Sequence, residues 1–231
     1  MAQLKVWTKM IDSLPTILTL IDRYSRYLTL RGVRLDENGF PLLGASSFLD
    51  EWPNSIVPYK NRNASLAADR HTTVICFYCN DRYIYPRLEN VLDDVPEYRR
   101  FLGVIGADIT VTDDMDLEWQ VATMLLNHLF TAVLAINGIK VVANLRCGST
   151  ETLRYLSCIP HGVMCASGFL GCAKTDSVLD YTYAAKILTV MPSKLLIYGK
   201  HDVLAENQLS TLGIAYRQYD DVRKRCFAHR A

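Results

Sequence analysis

Apolar positions near the start of the chain recur every three or four residues: Leu4, Trp7, Ile11, Leu14, Leu18 and Ile21. That is the period of one buried helix face, and it predicts a helix over residues 4–30. Pro15 is expected to divide or kink it, because proline lacks the amide donor that an interior turn uses. Tyr24, Tyr27 and Leu28 continue the stripe, and Gly32 is a candidate C-cap. The periodicity is then lost. The turn sequence Asp36-Glu37-Asn38-Gly39, the prolines at 41, 53 and 58, and the polar run Lys60-Asn61-Arg62-Asn63 predict an irregular arm with a hairpin over 33–43.

From residue 72 onward, short apolar runs alternate with helical stretches. Strands are expected over 73–78, 101–109, 140–145, 162–167 and 194–198. Helices are expected over 86–100 (broken at Pro96), 113–137, 151–158, 176–191 and 202–213, with a further turn or helix in the tail. Such alternation implies parallel strands joined by right-handed crossovers. Continuous apolar runs suit strands covered on both faces. The expected fold is therefore α/β: a mostly parallel sheet of about five strands with crossover helices, either open and doubly wound or a partial barrel. Residues 1–70 form an N-terminal helix and irregular arm packed on the core, and residues 71–231 the α/β domain. A full eight-stranded barrel is disfavoured, because residues 1–70 offer no three further strands.

The 113–137 segment is apolar enough to raise the question of a membrane span. Gln120, Asn127 and His128 interrupt it, the acids at 113, 114, 116 and 118 suit a helix N-terminus, and Gly138 closes it. A buried crossover helix with a core histidine is the expectation, and no membrane partner.

Charge alters this picture locally. The chain has 231 residues, 25 basic against 24 acidic, and a net charge of +1, which excludes a broadly basic nucleic-acid coat. The total conceals a net −6 over residues 71–118 and +5 over 119–231, including Arg223, Lys224, Arg225 and Arg230. Seven cysteines, an odd number, and no leader-like start point to free thiols and a cytoplasmic place. Cys76 and Cys79 form a CxxC, but no second metal-ligand pair accompanies it and it lies within a strand, so structural thiols are expected.

In parallel sheets, ligands bind beyond the carboxyl ends of the strands, where loops converge and helix N-termini point inward. The residues at those ends are Asn80, Asp81 and Arg82; Asp108; Asn144 and Arg146; Ser167, Gly168, Gly171 and Lys174; and Tyr198, Lys200 and His201. Asp81 and Asp108 fall on adjacent loops if the 73–78 and 101–109 strands pair, a placement that suits acid–base work or a divalent metal with phosphate. His201 is the residue whose ordinary pKa suits proton transfer. The two glycines and Lys174 of the 167–174 loop could cradle an anion, although no Walker or GxGxxG pattern is present. No G-x-S-x-G elbow occurs, and no serine or cysteine has an obvious local base.

The ordered motifs Phe77-Tyr78-Cys79-Asn80-Asp81, Phe101-Leu102-Gly103-Val104-Ile105-Gly106-Ala107-Asp108-Ile109-Thr110, Val142-Ala143-Asn144-Leu145-Arg146-Cys147-Gly148-Ser149, Gly171-Cys172-Ala173-Lys174 and Pro192-Ser193-Lys194-Leu195-Leu196-Ile197-Tyr198-Gly199 resemble those of domain-of-unknown-function family 4417, associated with phages and mobile elements. The resemblance covers residues 58–200. Ala107-Asp108-Ile109-Thr110 replaces that family's proline-aspartate-phenylalanine-serine, and Cys147 replaces a tryptophan. It implies a phage, prophage or plasmid origin and no known reaction. The expected function is that of a phage or mobile-element accessory protein binding a host or phage partner or a small anionic ligand. The alternative is a metal-assisted enzyme acting on a nucleotide or nucleic-acid phosphate. Neither cofactor nor oligomeric state is specified.

Overall fold

A computed structural model describes residues 14–169 and 182–228. One all-parallel sheet runs in chain order through β1 (Ser55–Pro58), β2 (Thr73–Cys76), β3 (Gly103–Ile105), β4 (Val141–Asn144), β5 (Met164–Phe169), β6 (Lys194–Gly199) and β7 (Ala215–Tyr219). The helices are α1 (Leu14–Thr29), α2 (Tyr85–Glu89), α3 (Val91–Tyr98), α4 (Leu117–Ile136), α5 (Thr182–Val190), α6 (Val203–Thr211) and α7 (Val222–Ala228). Between β4 and β5 the chain forms a 3-10 run, Thr150–Cys158, in place of an α-helix. The break between α2 and α3 falls at Asn90, and Pro96 lies inside α3.

The sheet has seven strands, not about five. The two extra strands are its edges. β1 is four residues ending in Pro58, inside the segment read as an arm, and an edge strand tolerates the missing donor. β7 is half-exposed and polar, Ala215-Tyr216-Arg217-Gln218-Tyr219, so it lacks the apolar run of a central strand.

Strand order also chooses between the two expected architectures. A doubly wound sheet reverses its order once, and this one never does. With right-handed crossovers, a sequential order puts every connecting helix on one face. The sheet curls about its other face as a half-barrel. Side chains accordingly sort by alternation. Ile56, Val74, Cys76, Ile105, Val142, Met164, Ala166 and Leu196 fill the concave interior. Val57, Ile75, Phe77, Val104, Val141, Cys165, Leu195 and Ile197 face the helices.

The arm closes the end of the half-barrel where strands begin. Leu49 donates its N–H to the Val141 carbonyl, Asn54 to Thr72, and Lys194 pairs with Asp50 at 2.9 Å. Leu49 and Trp52 pack into the concave core, with the Arg217 guanidinium over the Trp52 ring. The seam between β7 and β1 is bridged by side chains: the Tyr219 hydroxyl donates to Pro53 at 2.8 Å, and Arg225 donates to the Ile56 carbonyl at 3.1 Å. Around Asp36 the expected turn forms, with Asp36 N–H on the Phe40 carbonyl and a Leu35–Pro41 bridge.

Helix α4 is apolar and long enough to cross a membrane by composition, and it lies buried between the sheet and α1, which packs along it. Its polar residues hold strand-end loops. The Asn127 side-chain amide accepts from Ile109 N–H at 3.1 Å and donates to its carbonyl at 3.3 Å. Gln120 accepts from Ser149 N–H at 2.7 Å. Thr131 presses on Gly106, where any Cβ would collide with it. The loops just past β3 and β4 are thereby fixed.

Candidate functional site

With the N-terminal end plugged, the open end of the half-barrel is the one where strands finish. Alternation carries Tyr78, Asn144, Arg146 and Gly168 to the concave side there, and Asp108, in the loop past β3, meets them through Asn144. The Tyr78 hydroxyl donates to Asn144 Oδ1 at 3.1 Å, and Asn144 Nδ2 donates to Asp108 Oδ1 at 2.8 Å and to the Ala107 carbonyl at 3.1 Å. The nearest Arg146–Asp108 approach is 3.9 Å. Gly168 is required by the ring of Tyr78, since a Cβ would stand 2.8 Å from it. On its other side Tyr78 stacks on Tyr198, centroids 5.7 Å apart.

The electrostatics are mixed. Burial pushes the Asp108 carboxyl above the usual carboxylate range, Asp81 adds to that push, and Arg146, the Asn144 hydrogen bond and Lys186 oppose it. The Asp108 side chain is 15% exposed and Arg146 32%. Arg146 Nε is buried with no hydrogen-bond partner among the described residues. The guanidinium therefore sits beside a carboxylate without the short, bidentate bonds that such pairs form when optimised. Burial also raises the Tyr78 phenol, so it stays a donor.

The other predicted residues separate into those that reach this cluster and those that serve locally. Pairing of β2 with β3 does bring Asp81 near Asp108, but its oxygens already accept from Thr110 N–H (3.3 Å), Thr110 Oγ1 (3.1 Å) and Tyr85 (3.2 Å). Asn80 caps the following 3-10 turn through Arg82 N–H, and Arg82 lies exposed on Tyr83. Ser167 is buried and accepts from Tyr183 at 3.4 Å. Tyr198 accepts from Val222 N–H at 3.1 Å and so anchors α7. Lys200 is exposed just past β6. His201 is 59% exposed and paired with Glu206 at 2.9 Å, beside the α6 cap made by Asp202. Gly171 and Lys174 lie outside the described residues. No three His, Cys, Asp or Glu side chains come together as a metal site among the described residues.

Residues not foreseen are Tyr78, Tyr183 and Lys186. Tyr78 was hidden inside a strand motif, although its alternation with Val74 and Cys76 marks the concave face. Tyr183 and Lys186 lie on α5, where Tyr183 donates to Ser167 of β5 and the Lys186 charge is felt by Asp108; nothing in the sequence says that this helix packs beside those residues. The CxxC thiols are free, and burial raises both, Cys79 to about 11, so neither is a thiolate at neutral pH. In the basic tail, Arg225 is committed to the β1 carbonyl and Lys224 to Asp220.

Comparison with known proteins adds one finding. A family model described as a domain of unknown function (DUF4417) matches residues 37–220. No curated protein and no solved structure matches the chain.

Proposed function

Because the chain belongs to the DUF4417 family, whose function is unknown, we propose a function from its own residues: the open mouth of the half-barrel binds a small anion, a carboxylate or phosphate, on Arg146. The observation that carries this reading is the uncommitted state of Arg146, one-third exposed, 3.9 Å from its nearest carboxylate and with Nε unpartnered. A buried donor left unpaired costs about 1–3 kcal/mol, and an incoming oxyanion relieves that cost. Asn144 and Tyr78 hold the neighbouring carboxylate in place, so the site is organised before the anion arrives. Asp108 lies where it can exchange a proton with the bound anion.

Calorimetric titration with inorganic phosphate, sulfate and malonate tests the reading. Saturable binding of at least one of them, at one site per chain, is expected. Absence of heat with all three, together with an unchanged melting temperature, overturns it. The role of accessory protein in a phage or mobile element, acting in the cytoplasm, is part of the same proposal and is supported by the ordered motifs of residues 58–200. Genes flanking members of the family should then encode phage or plasmid functions, and housekeeping neighbours would contradict this.

A further inference from the structure

Arg146 and Asn144 line a cavity as well as the mouth. It lies between β4, α4, the arm and the end of the 3-10 run, is partly open, and has about 30 Å³ of free space. That is room for a guest of about one or two heavy atoms. Carbon makes up most of its wall, from Pro41, Leu43 and Phe48 of the arm, Met124 of α4 and Ile159. The polar side chains beside them are already engaged. Asn127 bonds both backbone groups of Ile109, and Thr131 donates to the Asn127 carbonyl at 2.8 Å. Asn144 bonds Tyr78, Ala107 and Asp108. Cys158 Sγ stands 3.5 Å from His128 Nδ1. The Arg146 Nε differs, having no hydrogen-bond partner among the described residues. A well-held water needs about two to four polar partners, so water is poorly held in such a wall. An apolar group that displaces poorly held water gains affinity.

We infer that the anion bound on Arg146 is a short aliphatic monocarboxylate, about two or three carbons long, with its carboxylate on the guanidinium and its methyl or ethyl tail in this cavity. The inference rests on the anion-binding reading of Arg146 and names the class of anion. Inorganic phosphate and sulfate have no carbon to place there. A guanidinium fork pairs in its plane with the two oxygens of a carboxylate, which leaves the tail as the part to be housed. Asp108, 3.9 Å from the same guanidinium, penalises a second negative charge, and so favours a monocarboxylate over a phosphate ester or a dicarboxylate.

Calorimetric titration with formate, acetate, propionate, hexanoate and methylphosphonate, beside sulfate, phosphate and malonate, tests the inference. Affinity is expected to rise about fourfold per carbon from formate to propionate, the gain from burying one methylene, and to drop at hexanoate, whose tail outgrows the cavity. Arg146→Gln weakens propionate and sulfate together, each by at least about tenfold. Ile159→Phe, which fills the cavity, abolishes the rise along the series. Circular dichroism checks that each variant is folded; if Ile159→Phe is not, Leu43→Phe takes its place beside the wild-type series. Sulfate binding with equal affinities for formate, acetate and propionate overturns this inference and leaves the anion reading standing. Absence of binding by every carboxylate and by sulfate and phosphate overturns both. A rise that survives the cavity-filling variant, or that continues through hexanoate, puts the tail outside the cavity and overturns the inference. Methylphosphonate held more tightly than acetate overturns the carboxylate class.

Discussion

Arg87–Asp94 and Arg146–Asp108 are built from the same two residue types, and in both the carboxyl is pushed up by burial. Their geometry differs. Arg87 Nη1 reaches both Asp94 oxygens, at 2.8 and 3.0 Å, and also donates to the Tyr59 hydroxyl at 3.2 Å, while Tyr98 donates to Asp94 at 3.4 Å. That pair is closed and lies in the layer of α2 and α3. At the mouth, Asp108 receives its short bond from Asn144 instead, and Arg146 stands off at 3.9 Å. One pair is a finished element of packing; the other keeps a cation in reserve. The difference separates structure from function more clearly than burial or charge does, because those are alike in the two places.

The largest effect that would break the comparison is on stability. Arg87→Ala should cost about 2–4 kcal/mol in urea unfolding, since it leaves a mostly buried carboxylate unpaired, and should leave sulfate binding intact. A loss below about 1 kcal/mol would mean that this pair is no more committed than the other. A double-mutant cycle sharpens the point. The Arg87–Asp94 coupling should exceed about 1 kcal/mol, whereas Arg146–Asp108 should fall below about 0.5 kcal/mol, in the range of loosely held pairs.

Next in size is the pH dependence of the mouth. An aspartate whose pKa is raised on folding binds its proton more readily in the folded state, so its contribution to stability falls as pH rises through that value. Ionised Asp108 also competes with an incoming anion for Arg146. Sulfate affinity should therefore rise as pH falls through the raised Asp108 range, and Asp108→Asn should bind about tenfold more tightly at neutral pH, with a flat profile. A wild-type profile in Asp108→Asn would remove Asp108 from the site. The smallest effect is expected from Tyr78→Phe, which deletes one hydrogen bond to Asn144 and should cost about 1 kcal/mol; unchanged stability would mean that this bond does not order the mouth.

Much of this arrangement was legible in the chain. The apolar runs of β2 to β6 marked buried parallel strands, and Asp108, Asn144 and Arg146 could be read as residues at the ends of two of them. The edge strands were not legible, because Ser55-Ile56-Val57-Pro58 is too short and β7 too polar to carry a strand period. Proline and polar residues also masked the arm's task of closing the half-barrel with Leu49 and Trp52. Tyr183 meets Ser167 across 16 residues of chain, and Cys158 meets His128 across 30. Tertiary geometry fixes such meetings, and local patterning carries no trace of them. Strand order, too, is a property of pairing, so the sequence left the doubly wound sheet and the half-barrel equally open.

The central claim is that Arg146 is the reserved cation and Arg87 the committed one. Sulfate titration of Arg146→Gln beside Arg87→Gln, each at a pH where it is folded, tests it most directly. The account predicts at least a tenfold loss of affinity, about 1.4 kcal/mol, in Arg146→Gln and wild-type affinity in Arg87→Gln. Equal affinities in the two variants, or a loss confined to Arg87→Gln, would contradict it.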